Sequence, residues 1–289
     1  MKSASISRFY SGRWCRIVID SIKNSVMSYY YSGNIKLYYE EHGRGSPVVW
    51  LHGFSLDRRM WRYQVEYFAA RYRMILVDAR GHGLSDSPRT GYSREDRVGD
   101  LILLAENLRL ERFHLVGFSM GAGDALAFAI DHQERLISLT LAGPAVSGWA
   151  APRRYRDFAA TALSEGVQAA KGKFMASALS VYEKRNPGLK RELEIMMSGF
   201  GGAPWLDPMK GKYSRRDDVG LSETVKVPTL LIVGREDIFF RSVAVRLQHR
   251  ISGSVLSVIP DSGHMVNMEA SDDYNRVLDL FLRENGEAN

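Results

Sequence analysis

A serine with a glycine two residues away on each side stands in the stretch Leu115-Val116-Gly117-Phe118-Ser119-Met120-Gly121-Ala122-Gly123. An apolar strand pattern leads into it, and a helical stretch from Ala125 to Ile130 follows. That strand, turn, helix setting is what a G-x-S-x-G nucleophile requires: the serine sits on a strained turn, and only residues without bulk fit two places before and after it. The chemistry open to such a hydroxyl is attack on an acyl carbon, once a base has taken its proton. Upstream, Val48-Val49-Trp50-Leu51 runs into His52-Gly53-Phe54. A strand ending in His-Gly turns a backbone N–H toward the nucleophile, so the N–H groups of Phe54 and Met120 form the candidate oxyanion hole for a tetrahedral intermediate. One such donor is worth roughly 10²-fold to 10³-fold in rate.

The elements that must position these groups read as an α/β alternation. Tyr29 to Tyr31 and Ile35 to Glu41 are β-rich runs separated by Ser32-Gly33-Asn34, which has hairpin chemistry. Six short apolar runs follow, of the kind that fill buried parallel strands: Val48 to Leu51, Met74 to Val77, His114 to Val116, Ile137 to Ala142, Thr229 to Val233 and Val255 to Ile259. After Ser93, a capping box with Asp96 opens a helix whose apolar face carries Val98, Leu101, Ile102, Ala105 and Leu108. Ser271 is expected to cap the last helix, with Tyr274, Val277, Leu278, Phe281 and Leu282 as its buried stripe. The fold class is therefore α/β: a mostly parallel, eight-stranded sheet with helices on both faces. Residues 148–218 hold helical stretches and four prolines but no convincing strand, which predicts an inserted helical cap between core segments 27–147 and 219–289.

From about Met27 onward the chain resembles the α/β-hydrolase superfamily. Besides the serine turn it carries Asp78-Ala79-Arg80-Gly81-His82-Gly83-Leu84-Ser85, similar to the family's turn after its fourth strand, and Met60 through Asp86 looks most like small carboxylesterases and enol-lactonases. The resemblance implies an acid after the seventh strand and a histidine after the eighth. Gly234-Arg235-Glu236-Asp237 supplies Asp237, with Glu236 as the alternative, and Pro260-Asp261-Ser262-Gly263-His264 supplies His264. Neutral His264 is then the base for Ser119, Asp237 fixes the imidazole, and an acyl-enzyme forms without metal or organic cofactor. The implied function is a serine carboxylic-ester hydrolase, a carboxylesterase or lactonase acting on small to medium substrates. Carbon–carbon bond hydrolysis, perhydrolysis or slow-turnover ligand reception on the same triad are the alternatives. Serine, not aspartate, at the turn argues against dehalogenase and epoxide hydrolase chemistry.

Composition narrows the remainder. With 289 residues, 45% hydrophobic and 25% charged, the chain is long enough for one large core plus a small second unit. The net charge of +6 is concentrated before Met27, where five cations face one acid, and no basic helix or phosphate loop accompanies it, so nucleic acid is not an expected partner. No apolar run approaches the ~20 residues of a membrane span, and Cys15 is the lone cysteine, so a soluble, cytoplasmic enzyme with a small-molecule substrate is expected. Residues 1–26 read as an N-terminal extension, either a transit-like leader or the product of an upstream start. Between 148 and 218, 13 Lys and Arg face 8 Asp and Glu, which suggests a taste for anionic substrates. His52 and His82 are expected to make structural hydrogen bonds, and His42, His114, His132 and His249 to be structural or solvated. Asp124, unusual so soon after the serine, reads as a carboxylate drawn to a helix N-terminus. About a third of the cap's Met and aromatic residues are expected to line the substrate cleft. Oligomeric state is left open.

Overall fold

A computed structural model describes residues 26–149, 153–179, 186–209 and 216–286. The extension expected at 1–26, with Cys15, lies outside the described residues apart from Val26, which already belongs to the first strand. The strands are β1 (Val26–Ser32), β2 (Ile35–His42), β3 (Ser46–Leu51), β4 (Tyr72–Val77), β5 (Phe113–Phe118), β6 (Leu136–Ala142), β7 (Thr229–Gly234) and β8 (Val255–Ile259). They form one open sheet in the order β1-β2-β4-β3-β5-β6-β7-β8. β2 runs antiparallel to both neighbours, and every pairing from β4 through β3 to β8 is parallel.

Strand alternation divides the core in two. Val48, Trp50, Met74, Leu76, Val116, Phe118, Leu230 and Ile232 point to one face, while Val49, Ile75, Val77, Leu115, Leu231 and Val233 point to the other. The first face is covered by α1 (Arg62–Phe68) and the C-terminal helix α11 (Ser271–Glu284), with Trp50 and Trp61 at 4.9 Å between ring centroids beneath them. The second is covered by α2 (Arg94–Asn107), α3 (Met120–His132) and α9 (Ile238–Gln248). Burying a large apolar side chain in such a layer contributes roughly 1.5–3 kcal/mol, so continuous apolar strands are stable only when helices cover both sides. β8 departs from the expected pattern: Val255 and Val258 are exposed, because the strand is the sheet's edge and has a neighbour on one side only.

The helix punctuation holds at α2 and fails at α11. Ser93 Oγ accepts the Asp96 N–H at 3.0 Å while an Asp96 carboxylate oxygen accepts the Ser93 N–H at 2.9 Å, the reciprocal pair of a capping box. Leu104 is fully buried on its face, whereas Ile102 and Leu108 are half-buried. Ser271 is not the cap of α11; it lies inside the first turn, Ala270 takes the cap position, and no side chain caps that end. The short helix α10 (Val266–Glu269) runs straight into α11, and the Tyr274 N–H bonds the Ala270 carbonyl, leaving the serine no free turn to cap.

Between β6 and β7 lie α4 (Arg153–Ser164), α5 (Val167–Leu179), α6 (Pro187–Gly199), α7 (Ala203–Leu206) and α8 (Asp218–Leu221). Phe158, Phe174, Leu193, Met197 and Trp205 from this block join the first-face core, so it is packed on the sheet's carboxyl edge. Among the described residues no helix is long and apolar enough to cross a membrane.

Two buried imidazoles give the fold a pH signature. Burial pushes His114, in β5, from its ordinary 6.5 down to about 4, with Arg112 adding to the shift, and pushes His82 down to about 3. Below pH 6.5 the unfolded chain takes up these protons and the folded one does not, so stability present above that pH is lost as pH falls. Between pH 6.5 and 5, His114→Gln is expected to flatten the fall in unfolding free energy by about 1 kcal/mol per pH unit. Denaturant titrations at several pH values check this; an unchanged slope would show that His114 is not one of the groups responsible.

Candidate active site

The serine turn is built by steric necessity. Ser119 has φ of +51°, a left-handed backbone that L-residues rarely adopt. A Cβ at residue 117 would lie 2.3 Å from the Gly121 carbonyl oxygen, and one at residue 121 would lie 2.4 Å from the Leu51 carbonyl oxygen, so both flanking positions must be glycine. The strain is held by the sheet: the Ser119 N–H donates to the Ala142 carbonyl at 2.8 Å, and its own carbonyl accepts from Ala122, Gly123 and Ala145.

Three strand ends then meet. Asp237 follows β7 and His264 follows β8, and their parallel register beside β6 brings both to the edge where Ser119 leaves β5. The Ser119 hydroxyl lies 3.1 Å from His264 Nε2, and His264 Nδ1 lies 2.7 Å from an Asp237 carboxylate oxygen. With Nδ1 donating to the carboxylate, Nε2 is left as an acceptor for the serine proton. Glu236, the alternative acid, is not the histidine's partner; its N–H donates to the Ser262 carbonyl and helps shape the His264 loop. The imidazole packs against Phe240, stacked at 4.3 Å, and against Phe118, tilted at 4.9 Å. Gly143, at the end of β6, permits the approach: a Cβ there would lie 3.1 Å from the ring.

The two sequence-derived N–H donors border the same cleft as Ser119 and His264. Met120 is the first residue of α3, so its N–H is one of the four that a helix leaves unbonded. Phe54 is aimed by its neighbours. The Gly53 carbonyl accepts from His52 Nδ1 at 2.7 Å and from the Leu56 N–H at 3.2 Å. Because the peptide is planar and trans, anchoring that carbonyl turns the Phe54 N–H the opposite way. His52 is itself fixed by the Ala79 N–H, which donates to Nε2 at 3.0 Å. The structural reading of His52 and His82 therefore holds, His82 bonding the Arg80 carbonyl at 3.0 Å.

The cleft has a volume of about 950 Å³ and is walled mainly by apolar side chains, with Trp149, Phe158, Phe174 and Met197 contributed by residues 148–218. Tyr182, another aromatic residue of that segment, lies outside the described residues. Sequence reading missed Phe240, Gly143 and Arg94. A glycine at a strand's carboxyl end flags the second, but no local signal distinguishes the other two. Asp124 is buried in a two-pronged ion pair with Arg97, at 2.7 and 2.8 Å, so a partner on α2 explains it better than the helix terminus alone. Most of the Lys and Arg side chains of residues 148–218, on which the expected taste for anionic substrates rests, lie outside the described residues; none of the described ones lines the cleft.

Comparison with known proteins agrees with this architecture. The profile of the alpha/beta hydrolase family matches residues 48–277. A 2-hydroxy-6-oxononadienedioate/2-hydroxy-6-oxononatrienedioate hydrolase of Burkholderia vietnamiensis is 30% identical over 274 residues, covering 86% of this chain and 91% of that protein. A thermophilic esterase from Thermogutta terrifontis superposes with a TM-score of 0.80 at 27% identity, over 91% of this chain and 99% of that one. The enol-lactonase from Burkholderia xenovorans LB400 has the same fold, with a TM-score of 0.79 at 23% identity, over 89% of this chain and 100% of that one. These relatives bear the names of hydrolases that cut different bonds, and what they share is the scaffold and the hydrolytic class: the chain belongs to the alpha/beta hydrolase family.

Proposed function

We propose that this protein is a serine hydrolase that cleaves a carboxylic ester or lactone through an acyl-enzyme on Ser119. The single observation that carries the reading is the continuous hydrogen-bonded relay from the serine hydroxyl through His264 to Asp237, at the floor of a largely apolar cleft.

The steps follow from what each group holds. As Ser119 Oγ bonds to the ester carbonyl carbon, His264 Nε2 takes the hydroxyl proton, and Asp237 stabilises the imidazolium that results. Negative charge moves to the carbonyl oxygen, where the N–H groups of Phe54 and Met120 receive it. The carbon–oxygen bond to the alcohol breaks and His264 returns its proton to the departing oxygen. Water then gives a proton to His264 and its oxygen to the acyl carbon; the bond from that carbon to Ser119 Oγ breaks, His264 returns the proton to the serine oxygen, and the acid leaves. In this reading residues 148–218 are a cap whose apolar side chains select the substrate's size and shape.

Ester hydrolysis by Ser119→Ala is expected to fall at least 10³-fold in kcat, read by pH-stat across simple alkyl esters, lactones and carbon–carbon diketone substrates. Turnover of the diketones alone would move the assignment to carbon–carbon bond hydrolysis, and retained esterase activity in the variant would remove Ser119 as nucleophile. Loss of the peptide anchor should act on the transition state more than on binding: His52→Ala is expected to lower kcat roughly 10-fold to 100-fold with little change in KM. An unchanged kcat would mean that the Phe54 N–H is not an oxyanion donor.

A further inference from the structure

Arg94, the first residue of α2, is the sole Lys or Arg among the described residues that line the cleft. Its side chain is 18% exposed, and both of its hydrogen bonds leave from Nη1, to the Ser147 hydroxyl and to an Asp218 carboxylate oxygen at 2.7 Å. Nε is buried without a hydrogen-bond acceptor, with Asp124 the nearest carboxylate at 3.8 Å.

The surrounding acids are already committed. Both oxygens of Asp124 are taken by Arg97, and the second oxygen of Asp218 accepts from Arg216 Nε at 2.7 Å. Two buried carboxylates thus face three guanidinium groups, and the remaining partner, Asp131, is an exposed residue that pairs with Arg216. Counting Asp131 the network is balanced, but none of its acids is among the described residues that line the cleft, so Arg94 is the member that presents its charge to the cleft wall. The cleft's own acids, Glu236, Asp237 and Glu269, all follow β7 or β8 and gather around His264. The site is therefore polarised, cationic beside α3 and anionic at the histidine loop.

The unbonded edge of the guanidinium lies beside α3. A Cβ on Gly123 would lie 3.1 Å from Arg94 Nη2, and the Gly123 N–H bonds the Ser119 carbonyl at 3.1 Å. Nη2, which makes no hydrogen bond, therefore lies against the first turn of the helix that begins beside the nucleophile. We propose that Arg94 is a specificity-determining residue that binds a free carboxylate of the substrate while its carbonyl carbon faces Ser119. The substrate class is then half-esters of short dicarboxylic acids and lactones carrying a carboxylate. This rests on the ester reading above for the reaction, but not for the binding. Arg94 also braces residues 147 and 218 against α2, so the test must separate recognition from support.

The measurement is calorimetric titration of the Ser119→Ala protein with monomethyl glutarate and with its neutral amide, methyl 5-amino-5-oxopentanoate. The carboxylate ligand is expected to bind at least 10-fold tighter. Adding Arg94→Gln should abolish the preference, and Arg94→Lys should restore part of it. Equal affinities, binding of neither ligand, or a preference that survives Arg94→Gln overturns the proposal; so does a variant that weakens both ligands by the same factor, which is the mark of a purely structural brace. Because no turnover is needed, failure of the ester reading shows separately, as intact discrimination in binding without pH-stat hydrolysis of monomethyl glutarate by the unmodified protein.

Discussion

The hydrogen bond between Ser119 and His264 joins residues 145 positions apart in the chain, and a second bond ties that histidine to an acid on another strand end. Such a relay works only if β5, β7 and β8 deliver their carboxyl ends to one edge within tenths of an ångström. Parallel pairing through β6 supplies the alignment, and two aromatic rings packed against the imidazole hold the final orientation. Much of the remaining structure serves this convergence. Gly117 lets the turn close on the start of α3, Gly121 lets it press against Leu51, and Gly143 opens room for the ring.

How far the sequence anticipates this depends on whether the determinant is local. The serine turn, the strand runs and the Ser93 cap are local patterns, and each appears where the spacing places it. Asp237 and His264 were legible through family order, and the geometry brings together Asp237, not its neighbour Glu236. What escaped is set by tertiary contact. Phe240 belongs to an amphipathic helix and gives no sign that it stacks on a histidine 24 residues further on. Arg94 reads as an ordinary first-turn residue until α2 is packed beside Gly123. Ser271 shows the converse: the right residue type stands near a helix start, but the preceding short helix leaves no cap geometry for it.

Charge is distributed with similar economy. Among the described residues that line the cleft, the one Lys or Arg is Arg94, which comes from the core. Its neighbours Arg97 and Asp124 are buried together, an arrangement in which losing either partner strands the other and costs several kcal/mol. The network supports the loop after β6 and brings the Arg94 guanidinium to the wall of the cleft.

The central claim is that His264 activates Ser119, and covalent trapping tests it most directly. Reaction of the protein with a fluorophosphonate, followed by peptide mass mapping, should place the adduct on Ser119, and His264→Ala should slow labelling at least 100-fold. An adduct on another residue, or an equal labelling rate without the imidazole, would contradict the account.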